Sequence, residues 1–203
     1  MNINELYMLN RALDGKDIPF LPTYKSLNIS ALMTDAVKEG MIRKGLLSKC
    51  NEFSEHGLIL TNRLLKYKQA RKHIKLNHLF IGIINEKESV LIQWYPFLLE
   101  YTINMINSMM ITSQIVESYD FLSREALKCN HVLKECTLEE LTDTYNLSSD
   151  FFHLDTQSMG NNTAEIYFRF EDKLFVYDCV KHVLQPLNQQ DMIDKINIRT
   201  CLL

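Results

Sequence analysis

Apolar residues recur at Ile3, Leu6, Leu9 and Leu13, a spacing that lays one stripe along a helix, and the run ends at the turn pair Asp14-Gly15. The following Asp17–Pro22 stretch holds Pro19 and Pro22, each of which drives the residue before it to extended backbone, so no helix is expected there. A second helix is predicted from a cap at Asn28 or Ser30, with Leu32, Met33, Ala36 and Val37 on one face and an end near Gly40. Gly45-Leu46-Leu47 marks a turn. A third helix, Ser54 to Arg71, is expected to turn Leu58, Leu64, Leu65 and Tyr67 toward a core.

The period then changes. Residues 76–84 and 90–95 are rich in β-branched and aromatic side chains and flank the polar loop Asn85-Glu86-Lys87-Glu88-Ser89, which predicts a β-hairpin. Both strands are apolar on both faces, so the hairpin is expected in the middle of a covered sheet. After Pro96 a long helix to about Ser118 is predicted, with Leu98, Tyr101, Met105 and Met109 in one stripe. The second half repeats this order. Helices are expected from Ser123 to Leu133 and from Thr137 to Asn146, the latter opening with the capping-box pattern Thr137-Leu138-Glu139-Glu140. A polar loop at Asp155–Thr163, a hairpin of 165–170 and 174–180 around Glu171-Asp172-Lys173, a break at Pro186 and a short helix from Gln189 to Ile196 follow. The order helices, hairpin, helix thus occurs twice, as a repeat of architecture without aligned residues. The expected fold is α/β of the α+β kind, a mainly antiparallel sheet with helices around it. No linker separates two domains, so a single domain over 1–203 is expected, with approximate halves 1–119 and 120–203.

Composition narrows the class. Apolar residues at 46% and charged residues at 23% fit a folded core and not long disorder, and a net charge of -3 gives no overall attraction to nucleic acid or an anionic membrane. No apolar run reaches the length of a membrane span, and the densest, Val90–Leu99, is interrupted by Gln93 and Pro96. The first residues lack the basic and apolar regions of a secretion signal. A soluble, cytoplasmic protein with no membrane insertion is the expectation. Five cysteines at wide spacings match neither a disulfide framework nor a zinc pattern; Cys129, His131 and Cys136 are the one grouping that suggests ligands, and buried free thiols are the commoner account.

Signatures of catalysis do not occur. The chain has no GxGxxG, GxxxxGK[ST], GxSxG or HExxH, and its six histidines are scattered. Glu139/Glu140 and Glu86/Glu88 are explained by a helix start and a hairpin loop. Neither an enzyme nor a cofactor is expected. Two features point to binding. Segment 43–75 carries Arg43, Lys44, Lys49, Arg63, Lys66, Lys68, Arg71, Lys72 and Lys75 against Glu52 and Glu55, and its helix, turn, helix, hairpin order is like a winged helix, so a DNA-binding regulator is one alternative. Against it stand an apolar hairpin, a third helix with Leu58–Leu60 where base-reading polar residues belong, and the acidic total charge. The nine methionines, with Met105, Met109 and Met110 close together, and the loops at Asn85–Ser89 and Asp155–Thr163 suggest adaptable contacts to another protein. An immunity-type protein-binding module is a further alternative.

The N-terminal Ile3–Leu9 pattern, the prolines around Phe20, the Ala36-Val37 helix and Gly45-Leu46-Leu47 resemble the start of the EspG-type chaperones of type VII (ESX) secretion, and are closer to their small Firmicute relatives, the EsaE-like (DUF5081-like) proteins. The helix, hairpin, long helix order from Leu58 to Met110 and its echo after Ser123 suit that family's pseudo-two-fold plan. The resemblance implies a central antiparallel sheet flanked by helical bundles. It also implies a cytoplasmic chaperone that binds a helical secretion substrate and presents it to the membrane ATPase of the system, without a cofactor. The contact loop of that family corresponds to Asn85, Glu86, Lys87, Glu88 and Ser89 here, and Met105 and Met109 join it as candidate partner-binding residues.

Overall fold

The computed structural model describes residues 1–23, 31–127, 133–145, 150–158 and 160–201. Among these, six α-helices and nine strands form an α+β protein, and within each of its two compact units the strand pairings are antiparallel. The first unit comprises Met1–His73, His78–Ile84 and Glu88–Ile106; the second comprises Ile74–Asn77, Asn85–Lys87 and the chain from Asn107 onward. The main change of unit therefore falls at Ile106–Asn107, earlier than the 119/120 division suggested by the repeating order.

In the first unit, α1 (Ile3–Leu13) is closed by a reciprocal cap: the Asn2 side chain accepts from Glu5 N at 2.9 Å and the Glu5 carboxylate accepts from Asn2 N at 2.7 Å. Helix α2 (Ala31–Arg43) runs past Gly40, the expected stop. The reason is packing, because a Cβ at Gly40 would sit 2.8 Å from the Glu5 carboxylate that α1 brings there. The turn comes at Gly45, whose φ of 68° is left-handed. The expected caps Asn28 and Ser30 lie outside the described residues, as do the side chains of Leu32 and Met33; Val37 and Met41 are buried, whereas Ala36 is exposed. Helix α3 (Glu55–Lys68) is capped by Ser54 and buries Leu60, Leu64 and Tyr67. Leu58, expected in the core, is 56% exposed, because the i, i+4, i+7 stripe from Leu60 faces inward and places Leu58 on the other side.

Strand β1 (Lys72–Leu76) ends at a turn where Asn77 takes a φ of 49°, so the first apolar run is split and β2 begins at Leu79 (Leu79–Ile83). His73 is a buried residue of β1 and His78 an exposed turn residue. Strand β2 pairs with β3 (Ser89–Tyr95), from Leu79 opposite Gln93 to Ile83 opposite Ser89. The predicted long helix after Pro96 is instead β4 (Glu100–Ile106), paired with β3 from Tyr95–Glu100 to Ser89–Ile106. Tyr101 and Met105 are four apart, a spacing that a period of two satisfies as well as one of 3.6, and the β-branched residues between them favour the strand. The outer side of β4 is occupied by Met1, which exchanges backbone hydrogen bonds with Tyr101, and by Arg63, whose guanidinium donates to Ile103 O at 2.9 Å. Each fully buried apolar side chain between helices and strands, such as Leu6, Leu9, Leu64 and Ile92, stabilises the unit by about 1.5–3 kcal/mol.

In the second unit, α4 (Ile111–Ser118) follows a single 3-10 turn at Ser108–Met110. The expected helix from Ser123 is not formed over the described residues 123–127, and the rest of it lies largely outside them. Strand β5 (Lys134–Glu135) precedes α5 (Leu138–Tyr145), whose Thr137/Glu140 capping box is present as anticipated. Strands β6 (Phe151–Ser158) and β7 (Asn161–Phe170) form a hairpin that takes up most of the expected polar loop 155–163; Thr156 and Thr163 face each other across it, their hydroxyls 2.8 Å apart. Strand β8 (Lys173–Asp178) follows a turn in which Glu171 and Asp172 are both left-handed. Pro186 does not break the chain. It lies within β9 (Val183–Leu187), opposite Phe175 and beyond the two residues, Val183 and Leu184, that β5 pairs with. Helix α6 (Gln189–Thr200) is longer than expected and begins on the Asn188 cap. The core of this unit is aromatic, with Phe152 stacked on Tyr167 at 5.0 Å and Tyr119 against Phe152 at 4.5 Å.

Candidate functional site

Two of the predicted binding elements meet in the second unit. The backbone of the 85–87 loop is fixed by Asn85, whose side-chain oxygen accepts from Lys87 N at 2.9 Å. Ser108 then ties the loop to the 3-10 turn, donating its hydroxyl to Asn85 O at 2.8 Å and its N–H to Lys87 O at 3.3 Å. Asn107 caps that turn by accepting from Met109 N. These bonds hold Met109, which is 72% exposed, and the exposed Met110 beside Asn85, Glu86 and Lys87. The result is a soft apolar pair next to one acidic and one basic side chain.

The remaining predicted residues fall elsewhere. Glu88 belongs to the first unit, is exposed, and lies 3.9 Å from Lys66. Ser89 is fully buried at the start of β3 and presents nothing to a partner. Met105 is half-buried against the first unit's core, so it does not continue a stripe to Met109. Sequence reasoning missed a second exposed apolar element. The connection from β3 to β4, Pro96-Phe97-Leu98-Leu99, lies where the helix after Pro96 is expected to begin, yet it is a turn in which Phe97, Leu98 and Leu99 are exposed, Phe97 completely at 101%, next to the exposed Tyr95 at the end of β3.

The basic segment 43–75 is largely spent on internal partners. Lys44 bonds Glu5 at 2.9 Å and Glu100 at 2.7 Å. Lys68 bonds Asn10, Asp14 and Lys16 O, Arg63 bonds Ile103 O, and Lys75 lies 3.6 Å from Asp155. Lys72 is buried. The hairpin after it packs into the first unit's core through Phe80, Val90 and Ile92 and is no free wing.

Titratable groups are bound into the fold. His73 lies with Nε2 2.7 Å from Tyr67 O, and burial holds its pKa below the ordinary value of 6.5 despite that bond. The unfolded chain therefore takes up the proton first as pH falls, and His73 contributes stability that is present above pH 6.5 and lost below it. Replacing His73 by glutamine is expected to flatten the stability-against-pH curve between pH 6.5 and 5, where this residue contributes a slope of up to about 1.4 kcal/mol per pH unit; urea unfolding at three pH values reads it, and an unchanged slope refutes the assignment. Of the suggested ligand grouping, Cys129 and His131 lie outside the described residues, and Cys136 is buried, its thiol pushed up by that burial. Among the described residues no three His, Cys, Asp or Glu side chains are placed to hold a metal.

A concentrated polar cluster is one the sequence did not suggest. Glu165, fully buried on β7, accepts from Arg199 Nη2 at 2.8 Å, Arg199 Nε at 3.0 Å and the Tyr167 hydroxyl at 2.8 Å, with Lys195 at 3.6 Å. Burial would raise its pKa, but Arg199 and Tyr167 outweigh that and hold it below the usual carboxylate range. Arg199 donates twice and Tyr167 once to this carboxylate, so the cluster pins α6 to the strands.

No curated protein matches the chain. A family model described as a domain of unknown function (DUF5081) matches residues 1–197, and the chain accordingly belongs to the DUF5081 family.

Proposed function

We propose that this protein is a non-catalytic adaptor that binds a helical protein partner through the Met109/Met110 pair and the adjoining 85–87 loop. The observation that carries the reading is that pair: two exposed methionines, held in place by hydrogen bonds to a charged loop, form the flexible apolar centre and polar rim of a protein-binding surface. The resemblance to EspG-type and EsaE-like chaperones names the partner class, a helical type VII secretion substrate, and the destination, the secretion ATPase. Membership of the DUF5081 family adds no activity of its own. The DNA-binding alternative is less well supported, because Lys44, Lys68 and Lys75 of that segment are engaged with Glu5, Glu100, Asp14 and Asp155, and Lys72 is buried.

Co-purification from the native host tests this. A small helical secreted protein recovered at defined stoichiometry is the expected result, and the double substitution Met109→Ser/Met110→Ser is expected to weaken its binding at least about tenfold, or about 1.4 kcal/mol. The thermal midpoint should not move, since both side chains are exposed. Equal binding by the double variant, or salt-dependent DNA binding with no protein partner, would overturn the proposal.

A further inference from the structure

A cleft of about 490 Å³ in the first unit runs between the first turn of α1 and the second half of α2, with Asn4, Glu5, Ala36, Val37, Gly40 and Arg43 among the residues of its walls. Its polar groups are of both signs, and the fold does not use them all. Glu5 is only 1% exposed, yet a single one of its carboxylate oxygens is occupied: Oε2 accepts from Asn2 N at 2.7 Å and from Lys44 Nζ at 2.9 Å. The other oxygen, Oε1, accepts no hydrogen bond from the described residues and lies against Gly40 at the cleft wall. Burying a carboxylate oxygen without a donor is costly, so this atom points to a ligand that brings one. Arg43 faces the same cleft from α2, is exposed, and makes no ion pair or hydrogen bond with any described residue. The N–H groups of Ile3 and Asn4 open α1 and have no acceptor within it, whereas the Asn2 side chain takes Glu5 N. We propose that this cleft binds a small aliphatic α-amino acid as its zwitterion, the ammonium donating to Glu5 Oε1 and the carboxylate held by the Arg43 guanidinium at the N-terminal end of α1.

The ligand class follows from the charges. Lys44 bridges Glu5 at 2.9 Å and Glu100 at 2.7 Å, and with Arg43 the two cations balance the two carboxylates. A simple anion entering the cleft meets the buried Glu5 carboxylate. A simple cation meets Arg43, Lys44 and the positive end of the α1 dipole. Each is opposed by a charge that the other sign would welcome, so a ligand carrying both is favoured over either alone. In an α-amino acid the ammonium and the carboxylate share one carbon, and each finds a charged partner: a carboxylate oxygen for the first and a planar guanidinium fork for the second. The rest of the wall selects the side chain. Ala36 and Val37 supply only apolar contact, and Ala36 and Gly40 are small enough to leave room beside them. The volume lies in the range of about 300–1,000 Å³ usual for small-molecule sites.

Calorimetric titration of the intact protein with L-leucine, with 3-methylbutylamine and with 4-methylpentanoate tests this, the last two keeping the side chain but only one of the charges. Saturable one-to-one binding of L-leucine, at least about tenfold tighter than either half-analogue, is the expected result. Glu5 caps α1 and is left intact. Arg43→Gln is expected to weaken L-leucine binding by about tenfold or more without moving the thermal midpoint, since that side chain is exposed and unpaired among the described residues. Ala36→Phe, made at an exposed position of the cleft wall, should fill the cleft and abolish binding; if that variant fails to fold, Arg43→Gln still decides. Lack of saturable L-leucine binding at millimolar concentration, a half-analogue that binds as tightly as L-leucine, or equal binding by Arg43→Gln each overturns the proposal. Capture of a helical partner through Met109 and Met110 uses none of these residues, so the two proposals fail separately.

Discussion

Gly57→Ala is expected to destabilise the first unit by about 3 kcal/mol, although alanine normally favours a helix by about 1 kcal/mol over glycine. Gly57 lies in the first turn of α3, where its N–H donates to the Ser54 cap. A Cβ there would sit 2.1 Å from Leu46 O and 3.1 Å from the Phe53 ring. The carbonyl cannot retreat cheaply, because it accepts from Ser54 N at 3.1 Å while Leu46 N is bonded to Met41 O at 2.8 Å. Relief therefore requires opening the turn that joins α2 to α3. Gly40→Ala is the informative comparison. Its added Cβ meets only the end of the Glu5 side chain, at 2.8 Å, which yields more easily than a backbone oxygen. Urea unfolding of both variants should rank Gly57→Ala well below Gly40→Ala; a Gly57→Ala midpoint equal to or above the wild type would show that the turn is soft and the packing reading wrong.

The same contact shows what the sequence could and could not reveal. Local signals were legible: Ser54 as a cap, Thr137 and Glu140 as a box, and the polar turn at Glu171-Asp172 each act within a few residues, and each sits where periodicity and turn chemistry place it. The twofold order of helices and hairpins gave the α+β class for that reason. The error at β4 came from coincidence of period, since Leu98, Tyr101 and Met105 fit a helical stripe while the chain pairs with β3 as a strand. That single misreading hid the exposed tip, because Phe97, Leu98 and Leu99 fall in the first turn of the expected helix. It also joined Met105 to Met109, which the structure assigns to a strand and to a 3-10 turn of different units. Asn85–Lys87 was legible as a charged loop, whereas burial of Ser89 follows from the strand register that places it opposite Ile83 and Ile106. Glu165 and Arg199, separated by thirty-four positions, share no local pattern; only the packing of α6 on the strands brings them together.

That long-range pair carries the second large effect. Arg199→Leu is expected to cost about 3–5 kcal/mol, because it leaves the Glu165 carboxylate buried with only Lys195 at 3.6 Å and the Tyr167 hydroxyl to compensate it. The double variant Glu165→Leu/Arg199→Leu is expected to be more stable than Arg199→Leu alone, since it removes the stranded charge together with its former partner. The pH dependence separates this account from simple loss of packing. In the wild type the folded pKa of Glu165 is depressed below 4.5, so the unfolded chain protonates first and the stabilisation, full above that value, is lost as pH falls through the folded pKa. Without Arg199 the dominant remaining influence is burial, which raises the carboxyl's pKa. The folded variant then binds a proton before the unfolded chain does, and its deficit relative to the wild type should shrink between pH 7 and 5. Denaturant unfolding of wild type, Arg199→Leu and the double variant at pH 7 and pH 5 decides the point. A deficit that stays constant with pH, or a double variant less stable than Arg199→Leu, would mean that Arg199 supports α6 through the packing of its stem and not through the charge it brings to Glu165.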